Sequence, residues 1–95
     1  MRISEHEAKV IRSIVCEFCG EDAVIRLFGS RADDSKRGWD IDLYVETNKP
    51  IALKDRLRLQ YRLSVLCDMK VDLLVKGPGD KDEPIFAIAR KGVLL

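Results

Sequence analysis

The segment Asp40-Ile41-Asp42-Leu43-Tyr44-Val45 restricts the fold more than any other, because polar and aliphatic residues alternate strictly along it. Successive side chains of a strand point to opposite faces, so Asp40, Asp42 and Tyr44 share one face and Ile41, Leu43 and Val45 the other. A strand with one aliphatic face must bury it against a second layer, which calls for a sheet covered by other elements. Asp40 and Asp42 then lie roughly 6.5–7 Å apart along the strand. Carboxylates held that close repel unless a cation sits between them, and aspartate is disfavoured in strands. Two accounts stand open: a solvated face with ordinary polar residues, or a cation site.

The remaining elements supply that second layer. Ser4 and Glu7 form a capping box, and Ala8, Ile11, Val15 and Phe18 follow at helical spacing until Gly20, which predicts a helix over residues 5–19. Ala23–Phe28 reads as a strand with Arg26 inside it, stopped by Gly29. Residues 29–39, GSRADDSKRGW, form a polar loop in which Asp33 and Asp34 make a solvated turn. Asn48-Lys49-Pro50 opens a second helix, proline being tolerated at the first helical position. Its expected core stripe is Leu53, Leu57, Tyr61 and Val65, widened by Leu63 and Leu66. Val71–Val75 is a third strand, closed by Gly77-Pro78-Gly79. Asp82-Glu83-Pro84 caps a last helix over Pro84–Lys91, and Val93–Leu95 suits a terminal strand. This order predicts an α/β (α+β) sandwich, a small mixed β-sheet packed against helices, with residues 1–95 as one domain.

Composition narrows the function classes. Seventeen basic residues face sixteen acidic ones, for a net charge of +1, which weighs against a protein that coats nucleic acid through bulk charge. Lys54, Arg56, Arg58 and Arg62 with Asp55 read as the solvated exterior of the second helix rather than an RNA-binding stripe. No apolar run approaches the roughly 20 residues that span a bilayer, and residues 1–10 lack a signal-peptide core, so a cytoplasmic location without membrane partners is expected. Cys16, Cys19 and Cys67 are odd in number and read as small core hydrophobes. His6, between Glu5 and Glu7, reads as a surface residue.

Three features tip the D-x-D segment toward chemistry. Gly29-Ser30 ends the preceding strand, where glycine lets backbone approach a phosphate and serine offers a hydroxyl and an amide. The loop between carries Arg31, Lys36 and Arg37, cations suited to a triphosphate. Asp72 interrupts the aliphatic third strand, where a buried carboxylate is costly unless paired or metal-bound. Carboxylates together with phosphate oxygens suit magnesium, a hard ion with octahedral oxygen ligation. Trp39 either shields such a site, stacks on a base, or packs over the sheet edge.

Gly29-Ser30, nine residues, Asp40-x-Asp42 on a strand and Asp72 on a later strand together resemble the DNA polymerase beta-like nucleotidyltransferase superfamily. The likeness is greatest to its minimal nucleotidyltransferases, the antitoxins of HEPN/MNT pairs, and spans nearly the whole sequence. It departs from the commoner pattern at Asp33-Asp34 and at Lys36-Arg37-Gly38-Trp39, where small residues and serine are more usual. The resemblance implies a nucleotidyltransferase fold and a protein adenylyltransferase-like enzyme moving AMP from ATP to a hydroxyl, a tyrosine of a HEPN-domain toxin partner. It implies two Mg²⁺ ions, with Asp40, Asp42 and Asp72 as catalytic metal ligands. Asp72 would serve the metal at the nucleophile, and Gly29, Ser30 and Arg31 would bind the nucleotide.

Competing readings are a non-catalytic antitoxin that neutralises its partner by complex formation, and a nucleotidyltransferase acting on nucleic acid, which the near-neutral charge disfavours. A P-loop ATPase is excluded because no G-x-x-x-x-G-K-[ST] occurs. The acceptor, the base preference and the oligomeric state, a homo-oligomer included, stay open.

Overall fold

The computed structural model describes residues 3–29, 41–68 and 70–95, and all structural statements concern these. Helix α1 spans Glu5–Cys19 and opens with the expected capping box: Glu7 N–H donates to Ser4 Oγ and Ser4 N–H donates to the Glu7 carboxylate, each at 3.0 Å. Such a box satisfies two of the amide donors that a helix start leaves unpaired. Gly20 ends the helix at φ 87°, a left-handed conformation that other residues adopt at a cost.

Strand β1 (Val24–Phe28) runs antiparallel to β2 (Ile41–Glu46), and β2 runs parallel to β3 (Val71–Lys76). Parallel neighbours need a crossover, which α2 (Leu53–Cys67) provides. Strand β4 (Val93–Leu94) pairs antiparallel with β1, giving the mixed sheet order β3-β2-β1-β4. The expected mixed sheet is present, with element boundaries within a residue or two of expectation except at the start of α2 and the end of α3.

The alternation of β2 decides how the layers stack. Ile41, Leu43 and Val45 are wholly buried and join Ile25, Leu27, Val71 and Val75 against Ile11 and Val15 of α1 and Leu59 and Leu63 of α2. Each large aliphatic side chain so buried contributes roughly 1.5–3 kcal/mol. On the opposite face Tyr44 is also fully buried, under helix α3 (Pro84–Ala89), with its ring 5.7 Å from that of Phe86. The polar face of β2 is therefore covered at Tyr44 rather than solvated along its length.

The tyrosine hydroxyl enters that covered layer with partners. It donates to Glu46, whose carboxylate also accepts from Arg90 Nε at 3.0 Å, and Arg90 reaches Asp82. Burial, then the bond to Glu46, pushes the Tyr44 hydroxyl up to about 12, while the Tyr44 and Arg90 hydrogen bonds hold Glu46 below the ordinary carboxylate range. This network ties α3 to the sheet. Arg90 therefore caps α3, which ends at Ala89 and not at Lys91, and Asp82 pairs with Arg90 instead of capping the helix start.

Helix α2 departs from expectation twice. It begins at Leu53 with Ala52 as N-cap, leaving Pro50 outside. The reason lies upstream, where the buried Thr47 hydroxyl donates to Cys19 O and accepts from Lys49 N–H, holding residues 47–49 in a local turn. The second departure is the buried face. Leu53, Leu57, Tyr61 and Val65 are 56–64% exposed, and Leu66 is 47% exposed. Leu59 and Leu63 fill the core instead. Each stands two residues from Tyr61, about 200° around the helix. Gln60 Nε2 donates to Val71 O at 3.0 Å, Ser64 Oγ accepts from Val71 N–H, and Arg62 pairs with Glu17 of α1. Those contacts fix the rotation of the helix and turn the longer apolar stripe outward.

Cys19 is buried in the core, where desolvation raises its thiol pKa, and Cys67 packs partly against the same cluster. His6 is exposed. No helix among the described residues is long and apolar enough to cross a membrane.

Candidate active site

The acidic face of the sheet lies at the end where β1 leaves and β2 and β3 begin. Asp42 and Asp72 are direct register partners in the parallel β2–β3 ladder, and Phe28 faces Asp42 across the antiparallel β1–β2 pair. Neighbouring strands are about 4.8 Å apart, so the row Phe28-Asp42-Asp72 sets the two carboxylates side by side on one face. Both border a cleft of about 320 Å³ whose wall also includes Leu74 of β3, Gln60 of α2 and Ile85 of α3. Its floor is apolar and its rim is acidic, a division suited to an organic ligand carrying charged oxygens at one end.

Asp72 is not the buried carboxylate that its strand suggested. Its side chain is 48% exposed and lies 3.8 Å from Lys70 Nζ, itself 68% exposed. Strand β3 is an edge strand, so water reaches Asp72 and the cost of desolvation does not apply. A screened pair of this kind contributes little to stability. What remains is the proximity of two like charges, which a bound cation relieves.

Gly29 closes onto the first of these carboxylates. It sits at φ 73°, and a Cβ there would stand 2.3 Å from Asp42 Oδ2. The glycine is thus required twice, by its left-handed backbone and by contact with the acid. The two effects can be separated with Gly79, which has φ 87° but no atom within 4 Å of a built Cβ. Both Gly29→Ala and Gly79→Ala are expected to lower stability by roughly 1 kcal/mol through backbone strain. Only Gly29→Ala should weaken Mg·ATP binding, by displacing the Asp42 carboxylate. Calorimetry and thermal melts of both variants check this, and equal affinity in both would remove Gly29 from the site.

Of the residues singled out from the sequence, Gly29, Asp42 and Asp72 are brought together. Asp40, Ser30 and Arg31 lie outside the described residues, as do Asp33, Asp34, Lys36, Arg37 and Trp39. Among the described residues no group of three or more carboxylate, histidine or cysteine side chains forms, so this part of the site offers two acids. Their donor set still fits a hard divalent ion: all oxygen, half-exposed and in register. Sequence reasoning missed Phe28, Gln60 and Ile85. Gln60 had one signal, an amide set between Leu59 and Tyr61 on a helix otherwise lined by leucines and arginines.

Comparison with known proteins agrees with this geometry. No curated protein sequence matches the chain. Among solved structures, the crystal structure of a mutant of the toxin-antitoxin MntA-HpeT superposes with a TM-score of 0.60 at 25% identity. The match covers 73% of this chain and 55% of that one, so the chain spans about half the length of that protein. The mutant carries two aspartates, two positions apart, changed to glutamate. The four-stranded mixed sheet with its helices is accordingly a nucleotidyltransferase-like fold. The model of the nucleotidyltransferase domain family matches residues 8–95, almost the entire sequence, and the chain belongs to that family.

Proposed function

We propose that this chain is a magnesium-dependent nucleotidyltransferase that moves AMP from ATP to a hydroxyl of a partner protein, a HEPN-domain toxin, and acts as its antitoxin. The observation that carries the proposal is the register pair Asp42 and Asp72, with Gly29 closed onto Asp42 at one end of the sheet. The toxin-antitoxin relative supports the partner, and its altered aspartates have the spacing of Asp40 and Asp42 here.

Magnesium, when bound, would supply positive charge against the triphosphate and beside the acceptor oxygen. Asp42 and Asp72, with Asp40, would hold it through carboxylate oxygens. Asp72, half-exposed at the sheet edge, is open to an incoming hydroxyl and takes its proton at a carboxylate oxygen. The acceptor oxygen then bonds to the α-phosphorus as the bond from that phosphorus to the bridging oxygen breaks, and pyrophosphate leaves. Gly29 and Ser30 orient the triphosphate through backbone amides, with Arg31 as a further phosphate contact. Phe28, Leu74 and Ile85 line the cleft with apolar surface that limits water.

ATP labelled at either the α- or the γ-phosphate tests the proposal in the presence of the HEPN-domain chain and magnesium. The α-label is expected on the partner and the γ-label in pyrophosphate, both abolished by a chelator. Label from the γ-phosphate on protein would instead show phosphoryl transfer.

A further inference from the structure

We propose that the outward apolar stripe of α2 is the docking surface for a helical partner with an acidic rim, seated so that its acceptor reaches the neighbouring cleft. The inference rests on the partner reading above and locates its contact. Leu53, Leu57, Tyr61 and Val65 recur every four residues and form one continuous exposed row. Beside it lies a groove of about 280 Å³ between α1 and α2, lined by Ile14, Tyr61, Arg62, Val65 and Leu66. A groove of that size accepts one or two large apolar anchors, the usual centre of a protein interface.

Charge selects the occupant. Lys54, Arg58 and Arg62 form a parallel row, four residues apart, on the α1 side of the stripe, and the opposite side carries Gln60 and Ser64. A second copy in an antiparallel two-fold pair would set the basic row against itself. A parallel pair would set it against Gln60 and Ser64, which carry no charge. Neither pairing gives the row a carboxylate, whereas an amphipathic helix with acidic flanks does so along its whole length. The surface is also continuous with the cleft. Gln60 borders the cleft beside Asp72, and Leu57, three residues earlier, is its neighbour on the helix.

The test uses Tyr61→Glu and Arg58→Glu, neither in the nucleotide site, titrated against the purified HEPN-domain chain at two salt concentrations. Affinity is expected to fall roughly tenfold or more for each variant, and wild-type affinity should fall with added salt. Mg·ATP affinity and melting temperature should match wild type. Unchanged partner affinity in both variants would overturn the docking surface while leaving the transferase reading intact, provided label still reaches the partner. Sedimentation of the wild type alone supplies a second check. A dimer dispersed by Tyr61→Glu would assign the stripe to a second copy and overturn the proposal as well.

Discussion

In Asp42→Asn, Mg·ATP binding is expected to disappear and AMP transfer to fall by at least about 10²–10³-fold, with the fold retained. Asp42 stands in register with Asp72, and its Oδ2 lies against Gly29, so it is the carboxylate most enclosed by the described site. An amide of the same shape keeps the packing of β2 but loses the anionic oxygen that a divalent ion requires. It also removes one of two adjacent like charges, so the apo protein should melt at the same temperature or higher. Calorimetry with Mg·ATP and a thermal melt read both halves. Wild-type affinity in the variant would remove Asp42 from the metal site, and a collapsed melt would make its role structural.

Dependence on the partner should be as large. The cleft is bounded on one side by the sheet and at its rim by Gln60 and Ile85, and nothing described closes over it. Productive transfer needs the acceptor oxygen about 3–3.5 Å from phosphorus, and correct placement is worth effective molarities of 10⁵ or more. A one-sided cleft cannot impose that placement on a small alcohol diffusing freely. Pyrophosphate release with Mg·ATP and simple alcohols should therefore be slow, and addition of the HEPN-domain chain should raise it by orders of magnitude. Equal rates with and without the partner would describe a self-sufficient small-molecule enzyme.

The sheet and its acids were legible because β2 has an unambiguous period. With Ile41, Leu43 and Val45 assigned to one face, Asp42 and Tyr44 had to share the other, and Asp72 could join Asp42 only through a parallel pairing. Helix α2 was less legible because it carries two apolar rows. Periodicity favoured Leu53-Leu57-Tyr61-Val65, the longer row, yet the rotation is set by tertiary bonds from Gln60, Ser64 and Arg62 that local sequence does not encode. Asp72 shows the same limit. Its strand is aliphatic enough to look interior, and only the sheet order makes β3 an edge. Gly29 was singled out for phosphate approach, and its contact with Asp42 comes from the β1–β2 register, which no local pattern reveals.

Intact-mass spectrometry of the HEPN-domain partner, after incubation with this chain and Mg·ATP, tests the central claim most directly. Wild type is expected to add the mass of an adenylyl group to the partner, and Asp42→Asn to add nothing while still binding it. A partner of unaltered mass that is nevertheless bound and silenced by wild type would contradict the account, because neutralisation would then come from complex formation alone.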